Sequence, residues 1–234
     1  MTLSAPLRRA TLAVALAFAV AAPAQADLRD PLTPDNSVLL MVDYQPQFVF
    51  SVQSIEVPKL INNAEGLAKA ARTFEVPTYY ATISARSFGG PFFRQLTDAR
   101  PELTPYDRTV IDPWQDPALR EAIRRTGRKK LLVSGLWTDS CVTLPVLSAL
   151  KDGYEVYVVV DASGDVSRES HDMAVQRMVQ AGATPVTWLA VMLEWQGDWK
   201  NAKTGAEVQR IAQQHGGAWG QGIDYFQQMV APKK

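Results

Sequence analysis

The amino-acid sequence predicts a three-layer α/β/α sandwich built around a mostly parallel β-sheet. Short apolar runs alternate along the chain with stretches of helical periodicity, and within these runs apolar and polar residues do not alternate. Strands that are apolar on both faces are typical of a sheet covered on both sides, and helices between successive strands are typical of parallel pairing. Both observations favour the same fold class.

Each predicted element has a local reason. Apolar runs predict strands at 37–42, 77–81, 109–111, 130–134, 154–160 and 184–187. Helical periodicity predicts helices at 59–74, 117–126, 140–152 and 167–181, the first of which places Leu60, Ala64, Leu67 and Ala71 on one face. The stretch 82–106 is irregular and rich in Gly, Pro and Arg.

Capping residues set the helix ends. Asp116 is a typical N-cap, Pro117 suits the first helical position, and Gly127 and Gly182 end their helices. Pro145 conflicts with a regular helix at 140–152, because proline removes an intrahelical hydrogen bond. We therefore expect this helix to begin late or to have a distorted first turn.

The N-terminal segment predicts export. Arg8 and Arg9 precede an apolar stretch at 10–22, and the small residues before Asp27 suit a signal peptidase. The stretch is shorter than the roughly 20 residues that span a bilayer. We expect residues 1–26 to be a cleaved signal peptide, 27–199 to form one α/β domain and 200–234 to form a C-terminal extension. The mature protein would be periplasmic or secreted, with no membrane anchor.

Charge and cysteine content narrow the possible partners. Lys plus Arg and Asp plus Glu number 24 each, so nothing indicates nucleic acid or an anionic membrane surface. A small molecule or a second copy of the chain is the expected partner. Cys141 is the only cysteine, so the chain forms no internal disulfide. A thiol kept in an oxidising compartment favours a function over a purely structural role.

Two reactive side chains follow predicted strands. Asp43 comes directly after the strand at 37–42, and Cys141 follows the strand at 130–134, where a strand leads into a helix. Ligands of open α/β sheets bind beyond the carboxyl ends of the strands, so both side chains are expected at one site. A carboxylate near a thiol can accept the thiol proton and later deliver it to a leaving amine. Taken singly, Asp43 is equally compatible with a loop cap and Cys141 with a buried structural cysteine.

Four ordered motifs resemble one family. They are Val-Asp-Tyr-Gln at 42–45, Arg-Thr-Val-Ile-Asp-Pro-Trp at 108–114, Gly-Leu-Trp-Thr-Asp-Ser-Cys-Val at 135–142 and Gly-Tyr-Glu-Val-Tyr-Val-Val-Val-Asp-Ala-Ser-Gly at 153–164. The chain is similar in these motifs to the isochorismatase-like cysteine hydrolases, and within them to the YcaC-type hydrolases. The resemblance covers about 38–199, and it implies a Rossmann-like α/β/α hydrolase domain at 27–199.

The resemblance also implies a catalytic set of an acid, a base and a cysteine. Carried over, the acid is Asp43, the nucleophile is Cys141 and the basic residue, usually lysine in this superfamily, is Arg108. An arginine keeps its proton near neutrality, so it would orient the thiolate and stabilise its charge without transferring protons. A solvated loop arginine is the competing interpretation of Arg108.

Further implied features concern the backbone around the cysteine. The resemblance implies a cis peptide between Trp137 and Thr138, and an oxyanion hole formed by the backbone N–H groups of Thr138 and Cys141. Such donors stabilise the negative charge of a tetrahedral intermediate.

Aromatic and histidine residues complete the candidate set. Trp137, Phe48, Phe88 and Phe93 are candidates for the substrate pocket, although core packing also explains aromatic residues. Nicotinamidases of this superfamily bind a metal, but His171 and His215, the only histidines, are not in ligand spacing, so we expect no metal and no cofactor. We expect His171 to be a surface or capping residue.

Two classes of function remain open. The first is a cysteine hydrolase that cleaves a small amide or related C–N bond through a Cys141 thioester. The second is a non-hydrolytic binding or thiol-redox protein on the same scaffold. In either case, aromatic residues in the polar tail after Trp199 predict contact with another subunit and hence a homo-oligomer.

Overall fold

A computed structural model describes residues 30–231 of the 234-residue chain. The expected signal peptide at 1–26 therefore lies outside the described residues. Within them, no helix combines the length and the apolar character needed to cross a membrane.

The centre of the molecule is a six-stranded sheet. Every pairing in it is parallel, and the strand order is β3-β2-β1-β4-β5-β6. The strands are β1 Ser37–Val42, β2 Thr78–Ile83, β3 Tyr106–Arg108, β4 Lys130–Gly135, β5 Glu155–Val159 and β6 Thr184–Val186. The predicted fold class is confirmed.

Helices cover both faces of the sheet. They are α1 Pro46–Val49, α2 Val57–Thr73, α3 Arg94–Ala99, α4 Pro117–Arg125, α5 Thr143–Lys151, α6 Arg168–Gln180, α7 Trp188–Gln196, α8 Gly205–His215 and α9 Ala218–Tyr225. Apolar residues of α2, α3, α7 and α8 form one core cluster, and those of α4, α5 and α6 form another. Leu39 and Met41 of β1 belong to the first cluster, and Val38 and Leu40 belong to the second. The strand is therefore apolar throughout because each of its faces lines a core.

The short third strand lies elsewhere than predicted. We expected a strand at 109–111, whereas β3 ends at Arg108, which pairs with Ile83 of β2. Val110 and Ile111, whose apolar side chains suggested the strand, are 40% and 55% exposed. The prediction was wrong because apolar character alone does not reveal where the backbone of an edge strand leaves its neighbour.

The helix after β4 begins late, as Pro145 required. A wide π-helical turn at Thr138–Val142 precedes α5, which starts at Thr143. Pro145 is thus the third residue of α5, in the first turn, where a missing N–H removes no intrahelical bond. Of the two expected alternatives, the late start of the helix is confirmed.

The described part of the tail after Trp199 is mostly helical. Val208, Ile211 and Ala212 of α8 are fully buried in the same core cluster as α2 and α7. Beyond α9, the chain ends in a turn at Phe226–Val230 that buries no residue. Only the last part of the tail therefore presents an apolar surface.

Candidate active site

The centre of the sheet brings the candidate residues to one edge. The strand order reverses between β1 and β4, which are paired so that Val42 lies opposite Gly135. Asp43 directly follows β1, and the π-helical turn that carries Cys141 follows β4. Arg108 is the last residue of β3. All three residues thus lie beyond the carboxyl ends of the strands, where open α/β sheets bind ligands.

Asp43 and Arg108 form a buried, bidentate ion pair. One terminal nitrogen of Arg108 donates to Oδ1 of Asp43 at 2.8 Å, and the other donates to Oδ2 at 2.9 Å. The second nitrogen also donates to the carbonyl of Ile111 at 3.1 Å. The Arg108 side chain is 2% exposed and that of Asp43 is fully buried. Arg108 is therefore not a solvated loop residue, and its first partner is the acid.

The backbone at Asp43 adopts an uncommon conformation. Its φ angle is +56°, in the left-handed region that non-glycine residues rarely occupy. Its N–H donates to the carbonyl of Ala81 at 2.9 Å, which continues the pairing of β1 with β2 by one residue. The left-handed turn after that bond directs the chain away from the sheet. Backbone outliers of this kind concentrate at functional sites.

Cys141 is buried beside this pair. Burial, and then the nearby Asp43 carboxylate, raise the pKa of the Cys141 thiol to about 12, while the charge of Arg108 opposes the rise. The resting side chain is therefore a neutral thiol at physiological pH. Burial also raises the pKa of Asp43, and the hydrogen bonds and charge of Arg108 oppose that rise. The carboxylate and the thiol are close enough for each to shift the pKa of the other.

Hydrogen bonds hold the turn that carries the thiol. The N–H of Thr138 donates to the carbonyl of Gly164 at 3.1 Å, and that of Asp139 donates to Oδ2 of Asp165 at 2.7 Å. The Asp165 carboxyl is fully buried, and burial raises its pKa. Sequence analysis did not single out Asp165, because its role depends on a partner 26 residues away.

The two backbone N–H groups expected to form the oxyanion hole, those of Thr138 and Cys141, differ in whether they can bind a substrate oxygen. Because the Thr138 N–H is bonded to Gly164, it is not free to bind a substrate oxygen in this arrangement. Within residues 30–231, the Cys141 N–H makes no bond to a group outside its own turn. The cis peptide lies between Leu136 and Trp137, one residue earlier than expected. That prediction was wrong by one bond, because motif similarity located the segment but not the individual peptide unit.

Three of the four candidate pocket residues form one aromatic cluster. The Phe48 ring meets the Trp137 ring edge to face at 5.1 Å between centroids and the Phe88 ring at 5.9 Å. Trp137 is fixed by its indole N–H, which donates to Oγ of Ser51 at 2.8 Å. Phe93 does not belong to this cluster, and its ring centroid lies 6.5 Å from that of Tyr44.

His171 has a closer relation to the site than expected. Its Nδ1 lies 2.8 Å from Oγ1 of Thr138, within the cysteine turn. The side chain is partly buried, and burial lowers the pKa of the imidazole. No local sequence pattern indicates this contact, since 33 residues separate the two partners. Among the described residues, no group of three or more His, Cys, Asp or Glu side chains could hold a metal ion.

Comparison with known proteins identifies the family. A family model described as the isochorismatase domain matches residues 37–189, which include Asp43, Arg108 and Cys141. The chain belongs to the isochorismatase family. The resemblance inferred from the four motifs is confirmed.

Relatives within the isochorismatase family include YcaC-type hydrolases. The chain is 35% identical over 172 residues to the probable hydrolase YcaC of Escherichia coli, covering 73% of this chain and 82% of that protein. A structure of YcaC from Pseudomonas aeruginosa, containing hexane-2,5-diol and covalent acrylamide, is 32% identical with a TM-score of 0.81, covering 85% of this chain and 98% of that one.

The crystal structure of E. coli YcaC gives the same relationship. It is described as an octameric hydrolase of unknown specificity, and it superposes with a TM-score of 0.81 at 30% identity, covering 86% of this chain and 98% of that one. Together with the family match, these relatives identify the chain as an isochorismatase-like hydrolase.

Proposed function

We propose that the protein is a cysteine hydrolase that cleaves a small, neutral amide through a thioester on Cys141. The observation that carries this proposal is the buried Asp43–Arg108 pair beside the Cys141 thiol. Two bonds from a guanidinium favour an ionised carboxylate despite its burial, and an ionised carboxylate is what accepts a proton.

The proposed reaction conserves protons at each step. Cys141 Sγ attacks the amide carbonyl while Asp43 accepts the thiol proton. The tetrahedral intermediate collapses, the C–N bond breaks, and Asp43 returns the proton to the departing ammonia or amine. Water then attacks the thioester while Asp43 accepts its proton. The C–S bond breaks, the acid product leaves, and Asp43 returns the proton to the Cys141 thiolate. Arg108 transfers no proton, because a guanidinium keeps its proton under physiological conditions.

A high thiol pKa suits this order of events. A thiolate in the resting state would not need a base, whereas a neutral thiol loses its proton only as it attacks. The same property counts against a thiol-redox function, because thiols that sense oxidants are exposed and have low pKa values. Cys141 is 4% exposed, and its pKa is raised.

Two further observations support a small amide as the substrate. Covalent acrylamide in the P. aeruginosa YcaC structure shows that a relative of the same fold accommodates a small molecule that carries an amide group. In this chain, both terminal nitrogens of Arg108 are bound to Asp43 or Ile111, and its charge is paired with Asp43, which disfavours a carboxylate substrate. Its buried Nε has no hydrogen-bond partner among the described residues. Phe48, Phe88 and Trp137 supply an apolar wall for the substrate, and the Cys141 N–H supplies an oxyanion donor.

Ammonia release from a panel of small primary amides tests the proposal. We expect the wild-type protein to release ammonia from at least one amide and the Cys141→Ala variant to release none. A wild-type protein whose Cys141 is oxidised by peroxide, without hydrolysing any amide of the panel, would instead support the thiol-redox function.

We also propose that the protein is an exported homo-oligomer. The octameric assembly of E. coli YcaC supports self-association, and Tyr225, Phe226, Met229 and Val230 offer an exposed apolar surface at the end of the tail. Sedimentation of the wild type and of Phe226→Glu tests the assembly, which we expect to be weakened in the variant. In the periplasmic fraction, an intact mass equal to that of a chain starting at Asp27 would support export. A mass that includes Met1 would contradict it.

A further inference from the structure

Gln45 is a buried polar residue that the proposed reaction does not use. It follows Asp43 by two positions, and its side chain is fully buried. Its Oε1 accepts a hydrogen bond from the N–H of Ile83 at 2.9 Å. Its Nε2 donates to the carbonyls of Ile83 at 3.1 Å and of Gly90 at 2.6 Å. One amide therefore ties the end of β2 to a later part of the chain.

The segment that Gln45 holds is the loop 84–93, here called the Phe88 loop. A second bond fixes its far end, because the N–H of Phe93 donates to the carbonyl of Tyr44 at 2.8 Å. Both attachments are made to the two residues that directly follow the catalytic acid. The position of the loop is thus coupled to the carboxyl end of β1.

Gly89 shows how closely the loop is held against Gln45. A Cβ at this position would lie 2.2 Å from the carbonyl oxygen of Ile83 and 2.3 Å from Nε2 of Gln45. Contacts this short do not occur in folded proteins, so any larger residue would displace the loop or the Gln45 side chain.

The Phe88 loop carries the exposed member of the aromatic cluster formed by Phe48, Phe88 and Trp137. Phe88 is 64% exposed, and its ring rests on Phe48, which in turn contacts Trp137. Trp137 precedes Cys141 by four residues in the same connection after β4. A large apolar side chain held in solvent by a pinned loop is suited to contact a ligand rather than to fill the core.

We propose that Gln45 is a positioning residue that holds the Phe88 loop beside the approach to Cys141, and that Phe88 thereby limits the size of the groups that reach the thiol. This inference rests on the proposed function for the identity of the nucleophile. It deepens that function by assigning selectivity for small neutral amides to the loop, and it gives Gln45 no part in proton transfer.

Alkylation of Cys141 by two neutral reagents tests the inference without requiring hydrolysis. The rate constants for iodoacetamide and for N-benzyl iodoacetamide are measured at one alkaline pH, and intact mass locates the adduct on Cys141. The ratio of the two rate constants reports steric selectivity, and the rate with iodoacetamide alone reports the reactivity of the thiol.

We expect Phe88→Ala to increase the rate constant for N-benzyl iodoacetamide, relative to that for iodoacetamide, by about ten-fold. A change of this size is typical when a pocket loses a steric barrier. Gln45→Met and Gly89→Ala should shift the ratio in the same direction, because each releases the loop. Val179→Ala, which shortens an exposed apolar side chain near the end of α6, serves as the control and should keep the wild-type ratio.

Two results would overturn the inference. An unchanged ratio in Phe88→Ala would show that Phe88 does not limit access. A shifted ratio in Phe88→Ala, together with wild-type ratios in folded Gln45→Met or Gly89→Ala, would remove the role of Gln45. Should Gln45→Met not fold, the result for Gly89→Ala decides the second point. Absence of amide hydrolysis in the wild type, by contrast, would contradict the proposed function and leave these ratios interpretable.

Discussion

Arg108 binds both carboxylate oxygens of Asp43, through two hydrogen bonds of 2.8 and 2.9 Å between almost completely buried side chains. The planar guanidinium is suited to this geometry, whereas a lysine ammonium is a point charge without two parallel donors. Arginine at this position therefore acts first on the acid, and its charge also acts on the neighbouring thiol. Its function in the proposed reaction is to keep Asp43 ionised and correctly oriented.

Replacing Asp43 with asparagine should separate proton transfer from thiol reactivity. We expect Asp43→Asn to lower the turnover number by about two to four orders of magnitude, the usual cost of losing a general acid–base group. The same change removes the carboxylate that raises the pKa of Cys141 and leaves the cation of Arg108, so the thiol pKa should fall. The variant should thus be alkylated by iodoacetamide at lower pH than the wild type while hydrolysing amides more slowly. An alkylation midpoint equal to that of the wild type would contradict the assigned contact.

Breaking the buried pair from the other side should reduce stability. We expect Arg108→Met to lower the free energy of unfolding by about 3–5 kcal/mol, because it leaves a buried carboxylate without its partner. The double variant Asp43→Asn/Arg108→Met should lose less than the sum of the two single changes. Arg108→Lys should retain more activity than Arg108→Met, since it keeps the charge. Urea unfolding of the four proteins measures the coupling, and strict additivity would show that the two side chains do not interact.

The sequence predicted the positions of Asp43 and Cys141 but not the partner of Arg108. Both residues follow long apolar strands, and such strands define the edge of the sheet where side chains meet. Arg108 ends a three-residue strand. The prediction placed that strand at 109–111 instead, because Val110 and Ile111 are apolar, although both are exposed in the structure. A short edge strand is specified by pairing with its neighbour, which residue composition does not reveal.

Contacts across long sequence separations were also beyond prediction. His171 meets Thr138, Asp165 caps the N–H of Asp139, and Gln45 holds Gly90. Each contact joins segments that only the folded sheet brings together. By contrast, the cap at Asp116, which accepts hydrogen bonds from Ala118 and Leu119, depends on neighbouring residues and was predicted correctly.

His215 should make the stability of the protein sensitive to mildly acidic pH. Burial, and then the charge of Lys69 at 2.9 Å from Nε2, lower the pKa of this histidine below its ordinary value of 6.5. The unfolded chain therefore binds a proton before the folded protein does, so this contribution to stability is present above about pH 6.5 and is lost as the pH falls below it.

The variant His215→Gln isolates this contribution from those of the other titrating groups. The difference in free energy of unfolding between the wild type and the variant should decrease between pH 7.5 and pH 5, as measured by urea unfolding. A difference that stays constant over this range would contradict the assigned protonation behaviour of His215.

Hydrolysis should not depend on a metal ion. His171 lies beside the cysteine turn and His215 lies on α8, where it contacts Asn62 and Lys69. The acid Asp43 is already bound by Arg108. We expect ammonia release to be the same before and after treatment with EDTA. A stoichiometric metal in the purified protein, together with activity that is lost on chelation and restored on metal addition, would contradict this expectation.

The most direct test of the central claim is a rapid-quench experiment on a hydrolysed amide, with intact-mass analysis of the protein and parallel measurement of ammonia. The account predicts an acyl adduct on Cys141 during turnover, a loss of that adduct when the substrate is exhausted, and neither adduct nor ammonia with Cys141→Ala. Hydrolysis by Cys141→Ala at the rate of the wild type would contradict the account, because a reaction that proceeds without the thiol does not pass through a thioester on Cys141.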